Sequence, residues 1–150
     1  MRIKTVNSPV AGQADKVYVI ARNVSGATIS ANIPTEYDLT TADGQAVSAA
    51  RSGSLASVFA GITDTSMSDS EFGLIQVYGF RSSAYISTTV SASITAPVFL
   101  VPKGPYFGAD STLSAATTSG HTYVTLLETI TGTAGYSSGM LLQKKVFIHF

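Results

Sequence analysis

Apolar and polar positions alternate in short runs with a period of two along most of this chain, and clusters of Gly, Pro, Ser, Thr and Asp separate the runs. That pattern predicts strands joined by turns. Residues 16–21 (KVYVIA) read as a first strand, 24–27 (VSGA) as a turn, and 28–33 as a weaker strand stopped by Pro34. Residues 36–41 suit an edge pairing, and Asp43-Gly44 is a turn signal. Across 46–60 the Ala and Ser content permits a helix. Gly53 interrupts it, however, and Val47, Leu55 and Val58 make a poor apolar stripe, so a loop leading into a strand over 57–63 is expected.

Residues 72–80 (FGLIQVYGF) are the strongest strand signal. Ile75 and Val77 fall on one face, and Leu74, Gln76, Tyr78 and Phe80 on the other. Apolar groups on both faces predict a central strand. Residues 84–90 alternate weakly, and 97–101 (PVFLV) form a strand entered through Pro97, at a position where proline is tolerated. A loop over 102–120 leads to a strand at 123–130 (YVTLLETI), a Gly/Ser-rich tip at 131–139 and a closing strand at 141–150. In that last strand Val146, Ile148 and Phe150 share one face, and Phe147 and His149 the other. The expected fold class is all-β: a single antiparallel β-barrel or β-sandwich over 15–150, with no exact internal repeat. Residues 1–14 hold few large apolar side chains, and Pro9 and Gly12 keep them out of the domain's own sheet as an extended N-terminal arm. Ile75, Val77, Phe99, Leu126 and Ile148 are the expected core.

Composition narrows the function classes. Apolar residues make up 45% of the 150, enough for a globular core. Charged residues are only 12%, about half the usual share, with Lys+Arg and Asp+Glu both 9. A nucleic-acid binder carries a basic excess that this chain lacks. A neutral, hydroxyl-rich surface at zero net charge is poorly protected against association and suits a subunit of an assembly. No cysteine is present, which excludes disulfides and thiolate metal sites. No apolar run is long enough for a membrane-spanning helix, and the N-terminus lacks the apolar stretch of a secretory signal.

The chemistry-bearing residues are sparse. His121 and His149 are the two histidines, one at a loop end and one in the last strand, without a nucleophile placed beside them by sequence. Asp64, Asp69 and Glu71 cluster in TDTSMSDSE, but Met67 and Ser68 occupy the ligand positions of a calcium loop and the sharp-turn glycine is missing. A solvated loop is the better reading. Paired-carboxylate sugar hydrolysis would need an aromatic platform, and the chain has no Trp. Residues 132–135 (GTAG) lack a phosphate-binding lysine and read as a turn. Asn23-Val24-Ser25 matches a glycosylation acceptor, a pattern that three residues meet by chance. No catalytic residue, cofactor or metal is expected. Of the seven Tyr and seven Phe most suit a core, whereas Tyr106, Phe107, Tyr123 and Tyr136 fall in or beside loops where aromatics anchor interfaces.

The order of motifs resembles the small decoration or cement proteins of tailed-bacteriophage heads. The family theme F/V-x-G-V-A is matched by Phe59, Gly61, Ile62 and Thr63. The theme G-x-V-Q-V-x-G, after an acidic turn, is matched by Glu71, Gly73, Leu74, Ile75, Gln76, Val77 and Gly79. The family's later Gly-Asp turn is replaced here by Thr95-Ala96-Pro97. The resemblance spans residues 20–150 and implies an all-β virion structural protein on the capsid exterior. Its partner would be the major capsid protein, as a dimer or trimer, with neither nucleic acid nor membrane involved. It carries no catalytic residue. The arm residues Arg2, Ile3, Lys4, Val6 and Val10 and the loop aromatics Tyr106, Phe107 and Tyr136 are then the expected partner contacts. A host-glycan-binding head- or tail-fibre domain is the rival reading, and a hydrolase a weaker one.

Overall fold

In a computed structural model, the chain is described over residues 3–6, 16–41, 44–49, 58–88, 95–102, 104–109, 124–130 and 140–149. The ten elements are all strands. They are β1 (Ile3–Val6), β2 (Lys16–Asn23), β3 (Pro34–Tyr37), β4 (Ala46–Ala49), β5 (Phe59–Thr63), β6 (Phe72–Thr88), β7 (Val98–Pro102), β8 (Phe107–Ala109), β9 (Val124–Leu126) and β10 (Met140–Ile148).

The pairing closes on itself twice. Strands run in the order β1-β2-β4-β3-β5-β6-β10-β9-β7-β8, with further pairings β2–β6 and β6–β8. One ring is therefore β2-β4-β3-β5-β6 and the other β6-β10-β9-β7-β8. Both rings have one wiring. If the strands of each are lettered a to e in chain order, a lies parallel to c in both: Arg22 opposite Ala46 in the first, Ile86 opposite Phe107 in the second. All other neighbours are antiparallel. β6 is long because it serves both rings, as the last strand of the first and the first strand of the second. Sequence echoes the wiring: VSGATISANIP at 24–34 follows strand a of the first ring, and VSASITAP at 90–97 follows strand a of the second. The expected all-β barrel is thus doubled, and the repeat is one of topology with a short sequence trace.

Each ring has its own apolar interior. Val19, Ala21, Val47, Ala60, Met67, Ile75 and Val77 fill the first. Ala84, Ile86, Leu100, Phe107, Val124, Leu126, Ile130, Val146 and Ile148 fill the second. Ile62 belongs to the first ring by strand pairing, yet it packs with the second core, and Phe59 joins it there. Phe59 meets Phe107 edge to face, with ring centres 5.9 Å apart. The outer face of β5 therefore seals the second ring.

Several sequence expectations are corrected. Ile3–Val6 is extended but is not held away from the domain: it pairs antiparallel with β2, Ile3 opposite Val19 and Val6 opposite Lys16. β4 covers only Arg22 and Asn23 on β2, so Lys16–Val19 would otherwise have no described strand along that edge. Residues 28–33 contribute only an isolated bridge, Ile29 with Met67, because Asn32 turns the chain with φ +65°. Pro34 opens a strand instead of ending one, and β3 lies between β4 and β5 rather than at an edge. Residues 46–49 are a strand where a loop was expected, β8 lies inside the expected loop 102–120, and 84–88 continues β6.

Ile75, Val77, Leu126 and Ile148 are buried, whereas Phe99 is 40% exposed. Phe99 pairs with Thr125 on the outer face of the second ring, and its neighbours Val98 and Leu100 face the core side. Ile75→Ala is therefore expected to cost about 2–5 kcal/mol, from lost transfer energy plus the cavity left behind. Phe99→Ala should cost under about 1 kcal/mol. Urea unfolding of both variants checks the assignment; equal losses would mean that the two faces of β7 are reversed.

Candidate interaction surface

A highly connected polar side chain, Arg81, lies on β6 between the two rings. Arg81 is 6% exposed. Its Nε donates to the Ser83 carbonyl at 3.0 Å. Nη1 donates to Asp64 Oδ1 at 3.2 Å and Gln76 Oε1 at 3.1 Å. Nη2 donates to Asn32 Oδ1 at 2.7 Å and the Thr63 carbonyl at 2.6 Å. These five bonds use all the donors a guanidinium has. Gln76 completes the network through Nε2, which donates to the carbonyls of Tyr78 and Phe80 at 3.2 and 3.1 Å. The group is a clasp that ties the β2–β3 connection and the end of β5 to the bend in β6. Beside it the Tyr18 phenol titrates above its ordinary range, first through burial and then through the negative charge of Asp64, which Arg81 partly offsets.

The other two acids of the TDTSMSDSE cluster are also turned to the fold. Asp69 Oδ1 accepts from the Gly26 amide at 2.9 Å, and Glu71 Oε2 from the Ser68 amide at 2.7 Å. Their loop is pinned by Asn23, whose side-chain amide donates to the carbonyls of Ala27, Met67 and Ser68 at 2.7, 3.0 and 3.1 Å. Asn23 Oδ1 accepts from the Ser25 amide at 2.9 Å. Asn23 is fully buried, so the glycosylation motif encodes a turn and not an acceptor site. Among the described residues no group of three or more His, Asp or Glu side chains could hold a metal ion. No buried side-chain polar atom among them lacks a partner.

A hollow of about 220 Å³ opens beside β3 and β4, lined by Glu36, Tyr37, Asp38, Leu39, Thr40, Ser48 and Val58. The Ser48 hydroxyl reaches Glu36 Oε1 at 3.5 Å, and Asp38 Oδ1 accepts from the Thr40 amide at 2.7 Å. Burial raises the Tyr37 phenol above its ordinary range. His149 Nε2 lies 2.8 Å from the Thr125 hydroxyl and stacks at a tilt on Phe147. His121 lies outside the described residues.

Two surface features remain. The first is β1. Every other strand is paired along two edges, whereas β1 has β2 on one side and no described strand on the other. Ile3, Lys4 and Val6 are on this strand; Arg2 and Val10 lie outside the described residues. The second is an aromatic row across the outer face of the second ring: Phe99 opposite Thr125, Thr125 opposite Phe147, Phe147 opposite Phe80. Tyr78 adds an edge-to-face contact to Phe147 at 5.6 Å. Sequence reasoning placed the contact aromatics elsewhere. Phe107 is fully buried, because it sits on β8 and points between Ile86 and Pro102 into the second core. Tyr106 is half-buried, and Tyr123 and Tyr136 lie outside the described residues. The missed signal was alternation in VFLVP: once Leu100 is placed inward, Phe99 faces out.

Compared with protein-family models and with curated proteins, the chain matches none.

Proposed function

We propose that the protein is a virion structural protein that decorates and cements a phage head, with the major capsid protein as its partner and the β1 edge as its point of attachment. The observation that carries this reading is the contrast, among the described residues, between two closed rings and one strand, β1, with a described partner along one edge only. An open edge is a template for another chain's extended segment, and closed rings have none. The resemblance of Phe59–Thr63 and Glu71–Gly79 to head-decoration proteins supports it. So does a surface poor in charge, 12% of residues, with equal numbers of both signs. Arg81, Gln76, Asn23, Asp69 and Glu71 bond the fold's own backbone, which supports a binding role over catalysis.

The mechanism is mechanical. Packaged genome presses outward on a thin shell. A domain bound across the seam between capsid subunits adds about 800 Å² of buried surface per partner. Repeated over the lattice, and multiplied within a dimer or trimer, weak contacts add to a large resistance. The rival reading, a host-glycan-binding domain, draws on the aromatic row of the second ring, since flat aromatic faces stack on sugars.

Deletion of residues 1–12 tests attachment. The first ring closes without β1, because β2 keeps β4 and β6 as neighbours. The truncated protein is expected to stay folded, melting within about 5 °C of the parent, while its occupancy on capsids falls severalfold. Decorated heads should then lose genome at lower temperature. Full occupancy by the truncated protein would place attachment elsewhere on the molecule.

A further inference from the structure

Charge is distributed unevenly along the chain. Residues 1–35 carry four cations, Arg2, Lys4, Lys16 and Arg22, against one acid, Asp15, whereas residues 36–150 carry five cations against eight acids. Zero net charge therefore hides a basic N-terminal part, and the pairing of β1 with β2 brings two of its cations to one face. Lys4 lies opposite Tyr18, and Val6 lies opposite Lys16. Positions two apart share a face of a strand, so positions 4, 6, 16 and 18 share one face of the β1–β2 pair. Positions 3, 5, 17 and 19 share the other, the face that Val17 and Val19 turn to the core of the first ring. Lys16 is half-buried and makes no ion pair among the described residues. The carboxylate whose charge reaches Tyr18 is that of Asp64, and it is paired with Arg81 at 3.2 Å.

No described strand lies beyond β1. A strand added to that edge would run about 4.8 Å from β1 and about 10 Å from β2. Position 4 would then be on the adjacent strand and position 16 one strand further, about a Debye length away at physiological salt. The added strand alternates as β1 does. Its positions level with 3 and 5 fall on the core side and suit apolar residues. Those level with 4 and 6 fall on the face of the two lysines and suit carboxylates, because opposite charges on neighbouring strands stabilise the pair and like charges oppose it.

We propose that the β1 edge takes an extended segment of alternating apolar and acidic residues, supplied by the protein's partner. The inference rests on the reading of β1 as the point of attachment, and it names the chemistry that the partner presents there. Backbone hydrogen bonds to the open edge supply affinity to any extended segment, and the charge of Lys4 and Lys16 supplies the choice among them.

Titration of the ¹⁵N-labelled full chain tests it, with an octapeptide of alternating valine and glutamate and one of alternating valine and lysine as probes. The valine–glutamate peptide should shift the amide resonances of residues 3–6 and 16–19 and bind about fivefold or more tightly than the valine–lysine peptide. The difference should shrink at about 0.5 M salt. Lys4→Glu combined with Lys16→Glu should reverse the preference, with an unchanged melting temperature. Equal affinity of the parent for both peptides overturns the proposal, as does a double variant that keeps the parent's preference. Occupancy on capsids separates this inference from the reading beneath it. If deletion of residues 1–12 lowers occupancy and the double variant does not, attachment through β1 stands and the acidic segment is wrong. If both changes leave occupancy intact, β1 is not the point of attachment and the proposal falls with it.

Discussion

Arg81→Ala is expected to destabilise the fold by about 3–5 kcal/mol in urea unfolding. The ion pair to Asp64 contributes little of this, because the Asp64 side chain is 36% exposed and solvent screens the attraction. The cost lies in the other acceptors. The Thr63 carbonyl and Asn32 Oδ1 each lose a charge-assisted bond, and Gln76 Oε1 and the Ser83 carbonyl lose theirs. Hydrogen bonds to a charged donor are worth about 1.5–3 kcal/mol each, and a buried acceptor left alone costs about 1–3. Relaxation and entering water recover part of the sum. Arg81→Lys should regain only a minor share, since an ammonium has three donors on a flexible stem and cannot span five acceptors. Asp64→Ala should cost under about 1 kcal/mol. If Asp64→Ala matches Arg81→Ala, the clasp is an ion pair and not a backbone-binding network.

Gly61→Ala is expected to cost about 2–5 kcal/mol in thermal unfolding, a large loss for one methyl group. Gly61 has φ +144°, a conformation side chains rarely adopt. Its added Cβ would stand 2.6 Å from the Gln76 carbonyl oxygen and 2.6 Å from Ile75 Cγ2. The carbonyl belongs to the β5–β6 ladder and cannot retreat without opening it. Backbone strain of about 1–3 kcal/mol and overpacking of about 1–3 kcal/mol combine here. Gly26→Ala is the control: its φ is +74°, but nothing lies within 4 Å of the new Cβ. That variant should lose only about 1–2 kcal/mol, the left-handed penalty alone. Similar losses at both positions would show that the close approach of β5 to β6 is not the limiting contact. Gly61 is one of the residues on which the family resemblance rests, so its glycine has a steric reason in this chain.

The candidate surfaces were less legible in the sequence than the strands. The arm was visible as extended chain, but its attachment to β2 was not, because a four-residue strand does not record its partner. Phe107 and Phe99 exchanged roles for a related reason. Both are single aromatics in short segments, where inside and outside follow from register with a distant strand. Arg81 drew no attention in sequence. Its five acceptors include Asn32 and Thr63, and only folding brings them to one point.

Local chemistry determined the class of fold. Period-two alternation in FGLIQVYGF and KVYVIA and the turn residues at Gly26 and Gly44 are properties of neighbouring residues, so the strands β2, β5, β6, β7, β9 and β10 could be read directly. Tertiary structure decided how they close. The parallel pairs β2–β4 and β6–β8 join segments with no local signal for one another, and β4 and β8 are too short to announce themselves. The seventeen residues of β6 read as two strands in sequence, yet the ladder to β10 resumes beyond a register shift between Lys144 and Val146 and makes them one. The doubled ring was faintly present in VSGATISANIP and VSASITAP. It became a repeat only through pairing, because what the two halves share is which strand lies beside which, and backbone hydrogen bonds carry that order with little demand on side-chain identity.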